Sequence, residues 1–536
     1  MKWRRVLFAV LALHVLPRDD SPLDASIHRS TSSALAVKSL IVKAEASGRV
    51  VNVRPIDDIE LANEDTDDDV LEFELDLDPP SKRKLQRQNA KRFNTKATKG
   101  EARSRFHASL QSDSNVEPSP SVQYGRGRGF TTTRPLLVGD ELFSIPAEQV
   151  MSLQSARRGR VQALLEVNPD LPVAVTLALH LLEEKFLGSK SAFYPYIASL
   201  PSSTEMNSTL FYSEAELETL QGSHLARVTI GRLQALRSYF DALLGPVTSR
   251  AMTPPLFSRD EFTLEHFHWA LGIVWARAFP LSDGEQDVVL APMLDTVAVC
   301  VDASCPRRSH IDWDRHRGQL VAYATQAYAG GDEVKMWLGP RSSTLLMLNH
   351  GFSRPAPWSE LESLDVSIFL DPNDTLLAVK SHVLAAYNRS INGTYELRLQ
   401  RDVLDLGMHQ SLKVKLMNGR ELERYASVLS FEPPAKAPDA RPIVSLRNEF
   451  VFCRAVLHAC RNLLSQYPTT LDEDREVLED LMRGRRREDC EQDRAVHMRR
   501  ALVIEKEILH HTMSVVRQQW ADLLLSNDET LFASLQ

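Results

Sequence analysis

The sequence predicts an α+β fold in which a β-rich unit carrying a helical insert is followed by an all-α C-terminal domain. Three stretches carry that expectation. Residues 125–146, GRGRGFTTTRPLLVGDELFSIP, have β-rich residues after the glycines and a Val-Gly-Asp turn before another short strand. Residues 331–352, GDEVKMWLGPRSSTLLMLNHGF, read as a short β segment, a Gly-Pro turn and a buried apolar helix that stops at Gly351. From residue 446 onward, apolar residues recur at helical spacing through three successive segments.

With 536 residues and 43% apolar content, the chain has room for two folded domains and unstructured segments besides. Its net charge of -8 is mild for that length and gives no field argument for a nucleic-acid partner. Residues 1–16, MKWRRVLFAVLALHVL, join a basic start to a short apolar run, which fits a signal or targeting segment over 1–25 and is too short for a membrane span. The stretch after Ala25 is basic and hydroxyl-rich, so a plastid transit segment is a second reading. The compartment is open between the secretory route and the plastid, with nucleus and cytoplasm disfavoured.

Residues 26–120 hold an acidic tract at 57–78 and a basic tract at 82–105, with little apolar material between them. Such blocks cannot recover their ordering entropy by burial, which predicts a disordered charged linker with order beginning at Tyr124. Sequons open at Asn207, Asn373, Asn388 and Asn392 and matter only on a secretory route. Cys300 and Cys305 sit in one expected loop and could pair. Cys453 and Cys460, seven apart on a helix, are separated by roughly 10 Å along its axis and could not. No cysteine pair has the spacing of a zinc site, and no metal is expected.

Residues 172–188, PVAVTLALHLLEEKFLG, have apolar residues at helical spacing and a glycine stop. A second long helix is expected over 262–279. His266 and His268 on it face different sides and read as structural histidines. The glycines of 125–129 are not a dinucleotide fingerprint, because Phe130 stands where the third glycine belongs and no helix follows. Thr470 and Glu473 form a capping box ahead of an apolar periodicity. The basic cluster 483–487 reads as a solvated inter-helix loop.

Several of these segments share one pattern. Gly127-Arg128-Gly129 continues through Leu136, Gly139, Glu141 and Pro146; Ala276-Arg277-Ala278-Phe279 and then Pro292, Met293 and Asp295 follow. Gly331, Glu333, Val334, Gly339, Pro340, Ser342, Leu346, Gly351 and Phe352 close it, with SAFYPYIASLP at 191–201 and YPTTLDED at 467–474 on either side. Over about 124–508 the chain resembles the SET-domain proteins of the Rubisco large-subunit lysine methyltransferase family.

That resemblance implies a SET-domain β-fold with a knot over 121–355, split by a helical insert at about 150–290. A helical substrate-binding-like domain over 356–536, on which a protein substrate or partner docks, completes it. It implies S-adenosylmethionine as cofactor, held by Gly127, Arg128 and Gly129, by Arg277 and Asp295, and by Ala298 and Val299 in the places of the family's Asn-His pair. Glycine lets the main chain approach a cofactor closely, and a guanidinium presents fixed donors to its carboxylate. The two family tyrosines fall on Leu338 and His350, which makes His350 the candidate catalytic residue. Asn349-His350 does not replace the missing pair, since it follows the Gly-Asp-Glu strand instead of preceding it. Two functions remain open: an S-adenosylmethionine-dependent protein-lysine N-methyltransferase, or a catalytically inactive SET-fold pseudoenzyme that binds proteins. Ala298, Val299 and Leu338 supply none of the family's side-chain hydrogen bonds.

Overall fold

A computed structural model describes residues 114–525 except 124–126, 250–254, 282–287, 301–309, 338–340, 359, 369–372, 387–392, 401–402, 405, 424–443 and 487–492. The targeting segment 1–25, most of the linker, Leu338, Cys305, Asn388 and Asn392 therefore lie outside the described residues, as does the side chain of Arg128.

Order starts before Tyr124. Strand β1 (Val116–Gln123) pairs antiparallel with β2 (Gly127–Thr132), Val116 opposite Thr132. Pro118 and Pro120 argued against a strand there, and they are tolerated because β1 is an edge strand, where missing ladder donors cost little. β3 (Glu141–Pro146) follows, and then the helices of the insert: α1 (Leu153–Ala156), α2 (Val161–Val167), α3 (Val173–Leu187), α4 (Tyr194–Ser199), α5 (Glu214–Thr219), α6 (His224–Thr248) and α7 (Leu264–Arg277). α3 packs on α7 within one core cluster, to which α3 brings fully buried Leu177, Leu179 and Leu181 and α7 brings Phe267, Leu271 and Ile273. α6, which residue spacing did not single out, is started by Ser223, whose side chain accepts from Ala226 N.

The chain then returns to β structure. β4 (Phe279–Pro280) pairs with β5 (Val288–Val289), and β6 (Ala298–Cys300) precedes β7 (His310–Asp314) and β8 (Gln319–Tyr323), the last two forming a three-stranded sheet with β3. β9 (Glu333–Trp337) is the hub of the other sheet, with order β1-β2-β9-β6. β2 runs antiparallel to it with Phe130 opposite Val334, and β6 runs parallel with Val299 opposite Met336. α8 (Ser343–His350) leaves that sheet, capped by Ser342 at its start and by left-handed Gly351 at its end.

Gly351 has φ +79°, and a Cβ there would lie 2.1 Å from the carbonyl oxygen of Asn207. Gly351→Ala is therefore expected to lose about 1–3 kcal/mol in urea denaturation. Gly318→Ala, with φ +64° but nothing within 4 Å, should lose measurably less. Asn207 Oδ1 accepts from Arg494 Nε at 3.3 Å, so the side chain of that sequon is engaged in an internal hydrogen bond.

The C-terminal region is helical but not all-α. β10 (Ser363–Ile368) and β11 (Gly393–Arg398) flank α9 (Leu377–Ala386) and form an antiparallel pair. Leu364, Val366, Tyr395 and Leu397 are buried, the alternation of a sheet with one covered face. α10 (Leu406–Leu416), α11 (Leu446–Ser465), α12 (Leu471–Met482) and α13 (Arg494–Leu525) complete the chain, with α11 and α12 both packed on α13. The expected capping box starts α12: Thr470 Oγ1 accepts from Glu473 N, and the Glu473 carboxylate accepts from Thr470 N at 2.7 Å. Among the described residues no helix is long and apolar enough to cross a membrane.

Candidate functional site

Three of the sequence-expected site residues, Arg277, Asp295 and His350, come together where α7 ends. Arg277, the last residue of α7, is buried, and its Nη1 donates to Asp295 Oδ2 at 2.9 Å. Asp295 is 2% exposed, so the two charges neutralise each other out of contact with water. The local backbone puts the carboxylate there. Met293 takes φ +67° and ψ -54°, and Leu294 N donates to Pro292 O at 2.8 Å, which makes a γ-turn of the strained hand. Among the described residues Met293 is the only non-glycine residue with positive φ, and no sequence signal marks it. Thr296 Oγ1 donates to Met293 O at 2.9 Å and braces that turn.

His350 is held to the same place. Its Nδ1 lies 3.0 Å from the carbonyl oxygen of Ala276, the residue before Arg277. A carbonyl only accepts, so Nδ1 carries the hydrogen and the lone pair of the neutral ring is on Nε2. His350 is the last residue of α8. Its neighbour Asn349 serves elsewhere: Oδ1 accepts from Arg232 Nη1 of α6 at 2.5 Å, and that guanidinium lies 5.0 Å from the Trp275 ring centroid. Burial and then the like charge of Arg341 push Arg232 down to about 10.

The two main-chain segments expected at a cofactor flank β9. Gly127, Arg128 and Gly129 lie on β2, which also touches the 294–296 turn carrying Asp295. Ala298 and Val299 lie on β6 at the sheet edge, Ala298 fully buried. An edge strand uses only one row of its amides and carbonyls for the sheet. The outer row of β6 can therefore serve a ligand without a side chain at Ala298. Together with the donor fork of Arg277, this is a set suited to a ligand with a carboxylate and a planar hydrogen-bonding group. Arg277 would share its guanidinium between that carboxylate and Asp295.

Other expected residues prove structural. His266 Nδ1 bonds Glu261 O at 2.8 Å, and His268 stacks on Phe211 with centroids 4.5 Å apart, its pKa held down by burial. Cys453 and Cys460 are free, buried, and pushed up by burial to about 11 and about 12, which makes them poor nucleophiles. Cys300 is disulfide-bonded, and Cys305, its expected partner, lies outside the described residues.

Residues 371–509 match the family described as Rubisco LSMT substrate-binding. Over 371 residues the chain is 27% identical to the chloroplastic fructose-bisphosphate aldolase-lysine N-methyltransferase of Arabidopsis thaliana, covering 66% of this chain and 71% of that protein. It is 23% identical over 359 residues to the actin-histidine N-methyltransferase of Homo sapiens, covering 66% of this chain and 59% of that protein, less than two thirds of the relative's length. The solved SET domain of LSMT bound to lysine and AdoHcy superposes with a TM-score of 0.64 at 20% identity, over 79% of this chain and 92% of that one. Rubisco LSMT bound to AdoMet gives a TM-score of 0.63 at 20% identity, covering 79% and 93%. These likenesses establish the fold.

Proposed function

We propose that this LSMT-like SET-domain protein, whose relatives are protein methyltransferases, is an S-adenosylmethionine-dependent protein-lysine N-methyltransferase. The observation that carries the reading is the convergence at the end of α7, where the Arg277–Asp295 pair lies beside His350 on the Ala276 carbonyl. The cofactor, when bound, supplies an electrophilic methyl group on sulfur. Arg277 is suited to hold its carboxylate, oriented by Asp295. The main chain of Gly127–Gly129 and the outer edge of β6 would serve the remainder, which accommodates Ala298 and Val299 in place of side-chain donors.

A lysine must shed a proton before it attacks, and His350 Nε2 is the acceptor we assign to it. Between ordinary pKa values of about 10.4 and about 6.5 that transfer is uphill by roughly 5 kcal/mol. A dry channel reduces the gap by lowering the lysine pKa. The substrate-binding-type domain at 371–509 supports a protein acceptor. The basic, hydroxyl-rich N-terminus, together with the chloroplastic relative, favours a plastid address.

One observation favours the pseudoenzyme instead: Arg277 is already neutralised by a buried carboxylate. Calorimetry of the full chain with S-adenosylmethionine separates the two. The enzyme reading expects a dissociation constant below about 1 mM, or about -4 kcal/mol and better. His350→Ala should keep that affinity within about threefold while cutting methyl transfer to plastid protein extract by about a hundredfold or more. No binding at millimolar cofactor removes the enzyme, and binding without transfer leaves a pseudoenzyme.

A further inference from the structure

Helix α3 carries His180, Glu183 and Glu184 on one face, three and four residues apart. Each has one polar atom anchored outward. His180 Nε2 lies 2.9 Å from Ser155 Oγ. That hydroxyl already donates its only hydrogen to Ser152 O at 2.9 Å, so the hydrogen shared with the imidazole belongs to Nε2. Glu183 Oε1 accepts from the Arg160 amide at 2.8 Å and from its Nε at 3.3 Å. Glu184 Oε2 accepts from the Ser191 hydroxyl at 2.5 Å.

The second polar atom of each points to a common space. His180 Nδ1 is 3.9 Å from Glu183 Oε2 and 4.0 Å from Glu184 Oε1, and one ligand atom from each residue lies within 4.8 Å of the others. His180 is 1% and Glu183 3% exposed, and among the described residues Nδ1 and Oε2 have no hydrogen-bond partner. Once Nε2 holds the hydrogen of a neutral ring, three lone pairs face one another with no proton between them. Such a cluster repels itself unless something positive sits inside it.

We propose that His180 Nδ1, Glu183 Oε2 and Glu184 Oε1 form a divalent metal site, with zinc the best fit. One imidazole and two carboxylates suit a small borderline ion, and each ligand has the outer anchor that fixes its direction in metal sites. Zinc bonds of about 2.0–2.2 Å put tetrahedral ligand pairs about 3.4 Å apart, so the two imidazole–carboxylate distances shorten by about half an ångström on binding. Arg160 offsets one carboxylate charge. Glu184, whose side chain is 13% exposed, leaves a fourth position toward solvent for water. Gly159 closes the other side: a Cβ there would sit 2.6 Å from Glu183 Oε2. The ion would tie α3 to Ser155 of α1, to the 157–160 turn and to Ser191 ahead of α4, bracing the insert.

The full chain, stripped with chelator, is titrated with zinc chloride, desalted, and read by metal mass spectrometry and thermal unfolding. Retention of one equivalent with a raised melting temperature is expected, and Glu184→Gln and His180→Gln should weaken retention at least about tenfold. Glu184→Gln, at the solvent edge, decides the matter if His180→Gln fails to fold. Zinc retained equally by wild type and Glu184→Gln overturns the site, as it places the metal elsewhere. No zinc retained by the wild type also overturns it.

Discussion

Asp295→Ala is expected to lower the unfolding free energy by about 3–5 kcal/mol, because it strands the Arg277 guanidinium, 4% exposed, without its counter-charge. The matched double variant Arg277→Met/Asp295→Leu should recover most of that loss, since apolar groups of similar size need no partner there. The two outcomes together separate stability from chemistry. Arg277→Lys keeps the positive charge and much of the ion pair but loses the planar fork, so it should fold while binding S-adenosylmethionine at least about tenfold more weakly. Urea denaturation and calorimetry check the three variants. A loss below about 1 kcal/mol in Asp295→Ala would show that the pair is not buried in solution.

How much of this was legible depended on where each residue's partner lies. The stretch 331–352 was readable because its turn, apolar run and stop are all local, and Gly351 advertises the left-handed end of α8. β1 was hidden by Pro118 and Pro120, whose tolerance depends on an edge position that only the assembled sheet reveals. β10 and β11 left a visible two-residue alternation, but they bury it against helices far along the chain. At the site, the motif places Arg277 and Asp295 by resemblance. The Ala276 carbonyl that holds His350 has no side-chain signature, and the positive φ that aims Asp295 falls on Met293, where glycine would have announced it. His180, Glu183 and Glu184 stood in plain view at helical spacing. Their meaning came only from Ser155, Arg160 and Ser191, which use up the outward-facing atoms.

In the C-terminal region the largest loss is expected at Asp474, again about 3–5 kcal/mol for Asp474→Ala. The YPTTLDED signature spends its polar atoms inside the molecule. Asp474 Oδ2 accepts from Lys506 Nζ at 2.5 Å, and its Oδ1 accepts from Arg499 and from the Thr469 hydroxyl. Lys506, 1% exposed, also donates to Thr469 O, Thr469 Oγ1 and Thr470 O, so removing the carboxylate leaves an ammonium between α12 and α13 with neutral oxygens in place of its counter-charge. Tyr467, from the same signature, donates to Glu505 Oε2 at 2.7 Å, and Glu505 accepts from the amides of His224 and Leu225 at the start of α6. Burial pushes the Glu505 carboxyl upward against these donors. α6 in turn supplies Arg232 to Asn349, next to His350. Through Tyr467 and Glu505 the signature thus joins α13 to the start of α6, the helix that also reaches Asn349. Asp474→Ala should therefore lower stability and cofactor affinity together. Lys506→Met/Asp474→Leu should restore both, as judged by denaturation and calorimetry on the full chain. If the double variant regained stability but not affinity, the joint would have a role beyond packing.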